Sequence, residues 1–416
     1  MMIYRQPLTL LVSALAFAGA AVRGVVIDTE GLPDTGLNTS TWTEGTLPPL
    51  SDIWTLNDIQ IAAKNVLEPR YYASYRTAAL DEITYQANLN IWKQVRLNGF
   101  SFRDVSDLKL STTILGHNFS LPFFIAPAAK AGHASKSAEL SLVTAAGKAG
   151  ILYVPSISST KSIEQIAAAG LDNQTMFHQE YVWCALTPPP PILVFQKRLT
   201  SERYRSNKTQ LKDELKRMEK AGFKAVFLTV DNTGVNGIRD RSLRYTGTES
   251  DTGHSATFDL ESLAALRNLT SLPLVPKGVK TAADAKKCLD LGFPAVYISN
   301  HGGRVLDGAP TAVEILLDIR KNYPEVFERM EVYADGGVRR GTDVMILLAL
   351  GARAVGLGRS PMFANIWGEE GVTHMIDLLK TELSTSMQLM GASDVTALNS
   401  SYVNTKWVEQ QYFGSS

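Results

Sequence analysis

A closed (β/α)8 barrel, a TIM barrel entered through an N-terminal helical segment, is the fold the sequence predicts, and three observations predict it. Between residues 123 and 358, eight short runs rich in β-branched and aromatic residues alternate with helical stretches. Each run is near-continuously apolar, as a strand covered on both faces must be, which favours a closed parallel barrel over an open doubly wound sheet. The conspicuous polar residues fall where these runs end, the edge on which parallel barrels assemble their sites.

Taken in order, residues 1–21 read as a secretory signal peptide. Arg5 supplies the positive start, 8–21 is an apolar, alanine-rich run, and Ala18-Gly19-Ala20 offers small residues for cleavage. A membrane anchor is the competing reading. Six Asn-x-Ser/Thr sequons, at Asn38, Asn118, Asn173, Asn207, Asn268 and Asn399, agree with export to a secreted, glycosylated form without a membrane span. Cys184 and Cys288 are the only cysteines, so packing and not a disulfide framework must hold the core. With 41 basic and 41 acidic residues and no basic run, neither nucleic acid nor an anionic membrane surface is implied as a partner. Residues 22–50, rich in Thr, Gly, Pro and Ser, read as a tail or linker. The barrel domain is placed at 51–416, where Ser51 or Asp52 would cap an amphipathic run at 53–67.

The eight strands are expected at 123–127, 152–156, 176–181, 225–231, 272–277, 295–300, 331–335 and 354–358. The stretch 208–221 shows how the helices are marked. Leu211, Leu215 and Met218 share one face, charged residues occupy the other, and Gly222 supplies the stop.

The strand ends carry the chemistry. The run 297–304 passes from an apolar strand into Ser299-Asn300-His301-Gly302-Gly303-Arg304. This places a group that accepts a proton near neutral pH three residues before a guanidinium that grips a carboxylate bidentately. A loop with a structural histidine would read the same way if it stood alone. Asp335-Gly336-Gly337-Val338-Arg339-Arg340-Gly341 and Gly356-Leu357-Gly358-Arg359 close the last two strands. Glycine N–H groups and arginine charge are what a phosphate needs, and barrels commonly bind one in these two loops. Lys277 ends the fifth strand and Asp231 the fourth, where a carboxylate would steady an imidazolium or simply cap a helix. Gln179 and Tyr181 end the third strand, and Ser156 ends the second.

Together these segments, with Phe124-Ile125-Ala126-Pro127-Ala128-Ala129 and Leu228-Thr229-Val230-Asp231, resemble the FMN-dependent α-hydroxy acid oxidase and dehydrogenase family, over roughly residues 51–416. The resemblance implies FMN as cofactor and no metal. It implies His301 as general base, Asp231 as its orienter, Arg239 and Arg304 as the carboxylate clamp, and Tyr181 as a hydrogen-bond partner of the substrate. Lys277 would face the flavin where negative charge collects on reduction. Pro127, Ala128, Ala129, Ser156, Gln179, Thr229 and Ser299 would line the flavin. Asp335, Gly336, Gly337, Arg339, Gly358 and Arg359 would hold its ribityl chain and phosphate.

The expected activity is oxidation of a small L-2-hydroxy acid such as lactate or glycolate to the 2-oxo acid. Oxygen is the expected acceptor, giving hydrogen peroxide, since no haem-binding domain precedes the barrel in this sequence and Ala129 resembles the oxidase type. A dehydrogenase serving a quinone or cytochrome, or an inactive flavin-binding barrel, are the alternatives, and the family implies a homotetramer. Four departures stand out. Ser74 replaces the family's substrate tyrosine within Tyr72-Ala73-Ser74-Tyr75, Pro276 precedes Lys277, and Lys130-Ala131-Gly132-His133 only loosely follows the family's turn. The stretch 183–205, with four consecutive prolines at 188–191, has no family counterpart and is either a loop or a gene-model artefact such as a retained intron.

Overall fold

The computed structural model describes residues 26–182, 208–232, 236–247 and 260–414. The signal peptide expected at 1–21, the insertion expected at 183–205, Cys184 and Asn207 lie outside the described residues.

Seven parallel strands follow one another around a ring: β1 (Phe123–Ile125), β2 (His178–Tyr181), β3 (Val226–Thr229), β4 (Leu274–Val279), β5 (Ala295–Ile298), β6 (Glu331–Asp335) and β7 (Ala354–Leu357). Their order β1-β7-β6-β5-β4-β3-β2 leaves a gap between β1 and β2. The eighth stave fills it. Residues 152–156, expected as a full strand, pair through isolated bridges from Tyr153 to Ile125 and Met176 and from Ser156 to Gln179. Pro155 has no N–H to give a regular ladder, although its carbonyl still accepts from Gln179 N at 2.9 Å. The barrel is therefore closed.

The run expected at 272–277 is observed at Leu274–Val279, with Pro276 inside it. Its ladder to β5 registers only at Lys277 and Val279, with an irregularity between them, which leaves the missing proline donor outside that ladder. Inside the barrel, Phe124, Phe177, Phe227, Tyr297 and Tyr333 meet mostly edge to face, with centroids 5.4 to 6.3 Å apart. Ala126, Ala225, Ala295 and Ala354 make room for them, the large-against-small alternation that fills a barrel without a pore. Helices cover the outside. In Lys208–Lys220 the buried residues are Leu211, Leu215 and Met218, the face the periodicity marks.

Three helices precede the barrel: α1 (Leu56–Val66), α2 (Pro69–Arg76) and α3 (Ile83–Asn90). The cap of α1 is Thr55, whose hydroxyl accepts from Asp58 N, and not Ser51 or Asp52. Those two lie in a 3-10 turn, where the Asp52 carboxylate takes the indole N–H of Trp42 at 2.9 Å. The preceding 26–49 is irregular, as its composition predicts, but it is docked. Leu32 and Trp42 are buried, and the Glu30 carboxylate is held by Arg76 at 2.7 Å, Lys64 at 3.0 Å and the Tyr72 hydroxyl at 3.1 Å.

Candidate active site

One cleft of about 350 Å³ opens at the C-terminal ends of the strands, within the range of roughly 300–1,000 Å³ common for ligand sites. His301 stands in its wall, in a turn (His301–Gly303) where its own φ is +57°. The backbone N–H of His301 donates to Ser299 Oγ at 3.0 Å, and its ring Nδ1 lies 3.0 and 3.1 Å from the two Asp231 oxygens. With Nδ1–H donated to that carboxylate, Nε2 is the nitrogen left to accept a proton from the cleft. Burial pushes the Asp231 carboxyl up, but His301 and then Lys277 outweigh it and hold the group below its ordinary value.

Asp231 can sit there because of Gly278. That glycine has φ +101°, and a Cβ on it would come within 2.5 Å of Asp231 Oδ2. The strand shift through β4 thus has a purpose that sequence reasoning missed. Its only trace was the Lys277-Gly278 pair at a strand end.

At one end of the cleft Arg239 and Arg304 converge. Arg239 is the N-cap of the helix Asp240–Thr246. Its Nη1 donates to the Ser74 carbonyl at 3.2 Å, and Arg304 Nη2 donates to the same oxygen at 2.7 Å. That carbonyl belongs to the last turn of α2, where helix polarity favours cations. Ser74 itself lines the cleft. Neither flanking tyrosine stands in for the missing phenol. Tyr72 is turned to Glu30 and Gln60, and Tyr75 donates to the Lys130 carbonyl at 2.6 Å. Tyr181 faces the clamp, its phenol pushed up first by burial and then by the Asp231 charge.

The other end gathers Gly336, Gly337, Arg339, Gly358 and Arg359. Arg339 is tied by its N–H to Asp343 at 2.8 Å and by Nη2 to Gln60 at 3.0 Å. Its Nε is buried with no partner among the described residues. Arg359 donates to the Tyr75 and Gly302 carbonyls and lies over the Tyr85 ring. Burial pushes Arg304 well down, and the charges of Arg239 and Arg359 add to that. Burial also brings Arg359 to about 10. A cleft that holds cations against burial and against one another suits two anions, and an orphaned donor on Arg339 suits a phosphate oxygen.

The floor between the two ends is ordered by a chain of side chains. Ser156 Oγ donates to Gln179 Oε1 and Gln179 Nε2 to Thr229 Oγ1, each at 2.9 Å. Lys277 is buried beside it with its ammonium 5.1 Å from the Tyr297 ring centroid. Pro127, Ala128, Ala129 and Asp335 also line the cleft. Ser299 lies beneath the wall. Its hydroxyl is fully buried under the His301 turn, because it is spent on the N–H that fixes that turn. Asp231 likewise stands behind His301 and not in the wall. Sequence reasoning also missed Asn88, whose side-chain amide exchanges two hydrogen bonds of 2.9 Å with that of Asn300. Asn88 ties α3 to the histidine turn, and its carbonyl would lie 1.9 Å from a Cβ on Gly337. Nothing in the local pattern of α3 announced this.

The profile of the FMN-dependent dehydrogenase family matches residues 63–188 and 195–405, breaking inside the proline-rich insertion. The chain is 31% identical over 393 residues to glycolate oxidase 3 of Arabidopsis thaliana, covering 88% of this chain and 99% of that protein. It is 32% identical to the L-lactate oxidase of a Nostoc species, covering 82% and 95%. To the L-lactate dehydrogenase (cytochrome) of Wickerhamomyces anomalus it is 29% identical over 88% of this chain, but spans only 64% of that relative's length. Among solved structures, a flavocytochrome b2 variant superposes with a TM-score of 0.78 at 29% identity, covering 88% of this chain and 90% of the other. A mandelate oxidase variant does so at 0.72 and 30%, covering 85% and 98%.

Proposed function

This chain belongs to the FMN-dependent dehydrogenase family, and from that premise we propose that it oxidises a small L-2-hydroxy acid to the 2-oxo acid with oxygen as electron acceptor. The observation that carries the reading is one cleft holding a carboxylate-backed imidazole and a pair of guanidiniums at one end and a second arginine pair at the other. Arg239 and Arg304 would exchange the Ser74 carbonyl for the substrate carboxylate, a stronger, bidentate acceptor. That grip sets the hydroxyl-bearing carbon against His301. His301 Nε2 takes a proton from the substrate, and Asp231 steadies the imidazolium that forms. Tyr181 offers a hydrogen bond to the substrate, and Lys277 places a buried positive charge where negative charge develops. Bound FMN, held by Arg339, Arg359 and the glycine N–H groups, supplies the two-electron relay. Acid and dioxygen go in, and 2-oxo acid and hydrogen peroxide come out. Ala129, small and apolar in the cleft wall, supports oxygen as acceptor.

Absorbance of the purified holoenzyme tests this. L-Lactate or glycolate added without oxygen is expected to bleach the flavin, and readmitted air is expected to yield peroxide. Bleaching without peroxide would transfer the reading to a dehydrogenase, the kind of relative that the cytochrome-linked enzymes represent. No bleaching would overturn the reading.

We also propose that the protein is exported and glycosylated. The five sequon asparagines among the described residues, Asn38, Asn118, Asn173, Asn268 and Asn399, are all exposed. Asparagines outside sequons are mixed, with Asn57, Asn65, Asn88, Asn232, Asn300 and Asn365 buried and Asn90, Asn98, Asn322 and Asn404 exposed. A mobility shift on endoglycosidase treatment of protein from the medium is expected. A chain found only inside the cell and unshifted would end the proposal.

A further inference from the structure

The cleft holds one more cation than the proposed chemistry uses. Among the described residues, its wall contains Lys130, Arg239, Lys277, Arg304, Arg339 and Arg359 against the single carboxylate of Asp335, with Asp231 committed behind His301. A phosphate claims Arg339 and Arg359, the substrate carboxylate claims Arg239 and Arg304, and Lys277 answers charge on the ring. Lys130 has no such claimant. It is exposed at the rim, and it makes no ion pair among the described residues.

The backbone of Lys130 is nonetheless fixed with care. It sits at φ +62°, a left-handed conformation that costs a lysine on the order of 1 kcal/mol. Three contacts keep it there: its N–H donates to the Ser158 carbonyl at 3.3 Å, and its own carbonyl accepts from the Tyr75 hydroxyl at 2.6 Å and from the His133 N–H at 3.0 Å. Tyr75 is the neighbour of Ser74, the residue whose carbonyl both clamp arginines hold. The clamp and the lysine loop therefore grip adjacent residues of α2. Ser74, Tyr75 and Lys130 all line the cleft, and Ser74 carries a short side chain where the family resemblance would place a phenol. Among the described residues, Ser158 and Asn236 add polar groups to the same cleft, beside the apolar Val305 and Met362. Positive potential extends over the rim, where burial and then Lys130 and Arg70 hold the His133 imidazole below its usual value.

We infer that Lys130 is a specificity residue, and that the preferred substrate is a 2-hydroxy acid whose side chain carries a second carboxylate. The inference rests on the reading of this cleft as a 2-hydroxy acid site. Ser74 opens the passage from the clamp, and Lys130 receives the distal carboxylate at its far side. Because Lys130 touches neither the α-carbon nor the first carboxylate, its contribution enters through binding and therefore through KM.

Steady-state kinetics of the holoenzyme on matched pairs tests the inference: L-malate against L-2-hydroxybutyrate, and L-2-hydroxyglutarate against L-2-hydroxyvalerate. The dicarboxylate is expected to lead by about tenfold in kcat/KM in at least one pair, an advantage that shrinks as salt is added. Lys130→Met is expected to cut the dicarboxylate-to-neutral ratio about twofold to fivefold through KM, the size of one exposed charge pair, and Lys130→Arg to keep most of it. The flavin absorbance spectrum of each variant shows that it is folded and loaded. A wild-type preference for the neutral acid in both pairs, or a ratio that Lys130→Met leaves in place, overturns the inference while leaving the activity standing. If none of the four acids bleaches the flavin, the functional reading falls and the inference with it.

Discussion

The two ends of the cleft carry the same pair of guanidiniums, built in different ways. At the phosphate end, Arg339 is anchored within its own loop through Asp343 and to α1 through Gln60, and Gly337 is packed on Asn88. At the clamp end, Arg239 and Arg304 both donate to the Ser74 carbonyl of α2, and Arg304 Nη1 also reaches the Tyr75 carbonyl at 3.4 Å, neutral acceptors that an anion can displace. The difference teaches that the phosphate end is a fixed socket, whereas the clamp end is held ready by contacts made to be given up. Retention of the cofactor and turnover of the acid should therefore separate under mutation.

The strongest way to break that separation is at His301. His301→Ala is expected to lower the rate of anaerobic flavin reduction by about 10² to 10⁴ while FMN stays bound, because a general base is lost and no phosphate contact is touched. Stopped-flow absorbance reads it, and near-normal reduction would remove His301 from the role. Gly278→Ala is expected to lower kcat by about 10- to 100-fold. The added methyl pushes Asp231 away from His301, and misplacement on the order of 1 Å costs that much. Unchanged kcat would show that β4 yields around the methyl.

Arg339→Ala addresses the other end. FMN affinity is expected to fall by about tenfold to a hundredfold, as for the loss of one charge-assisted hydrogen bond, with little change in KM of the reloaded enzyme. Fluorescence titration of the stripped protein with FMN checks this, and an equal loss in KM would mean that the two ends are not independent. Ser74→Tyr is the smallest and sharpens the comparison. A phenol restored beside the clamp is expected to lower KM for a short neutral acid by about tenfold, since one hydrogen bond to a charged group contributes about 1.5–3 kcal/mol at best. A raised KM would show that the passage beside Ser74 is needed by the substrate.

The same contrast runs through what the sequence revealed. The barrel strands were legible because both faces of each are buried, so their apolar runs stand out without reference to partners. The stave at 152–156 was legible as a run but not as a set of bridges, because the proline that breaks its ladder matters only against its neighbours. The phosphate socket was legible because glycine and arginine lie within a few residues of each other. The helix cap was misplaced by three or four residues, since Ser51, Asp52 and Thr55 all have suitable oxygens and only the chain path selects Thr55. The docking of 26–49 was illegible, because Glu30 finds Lys64, Tyr72 and Arg76 across long separations. The Asn88–Asn300 pair, more than two hundred residues apart, was illegible for the same reason. Gly278 lies between these cases, visible as a glycine but explained only by Asp231 in contact.

The ring closes by pairing Phe123 with Val355, residues about 230 positions apart, so closure waits on nearly the whole chain and carries a large loop entropy. For a chain threaded into an export channel from its N-terminus, this sets a schedule. If the chain is exported as proposed, the asparagines at 38, 118, 173, 207 and 268 would pass the glycosylating enzyme while the barrel is still an open ribbon, and only Asn399 follows the last strand. Sugars on the early sites would keep that ribbon soluble during the interval in which its apolar strands have no partners. Removing those sites should then cost yield far more than it costs the melting temperature of the molecules that do finish.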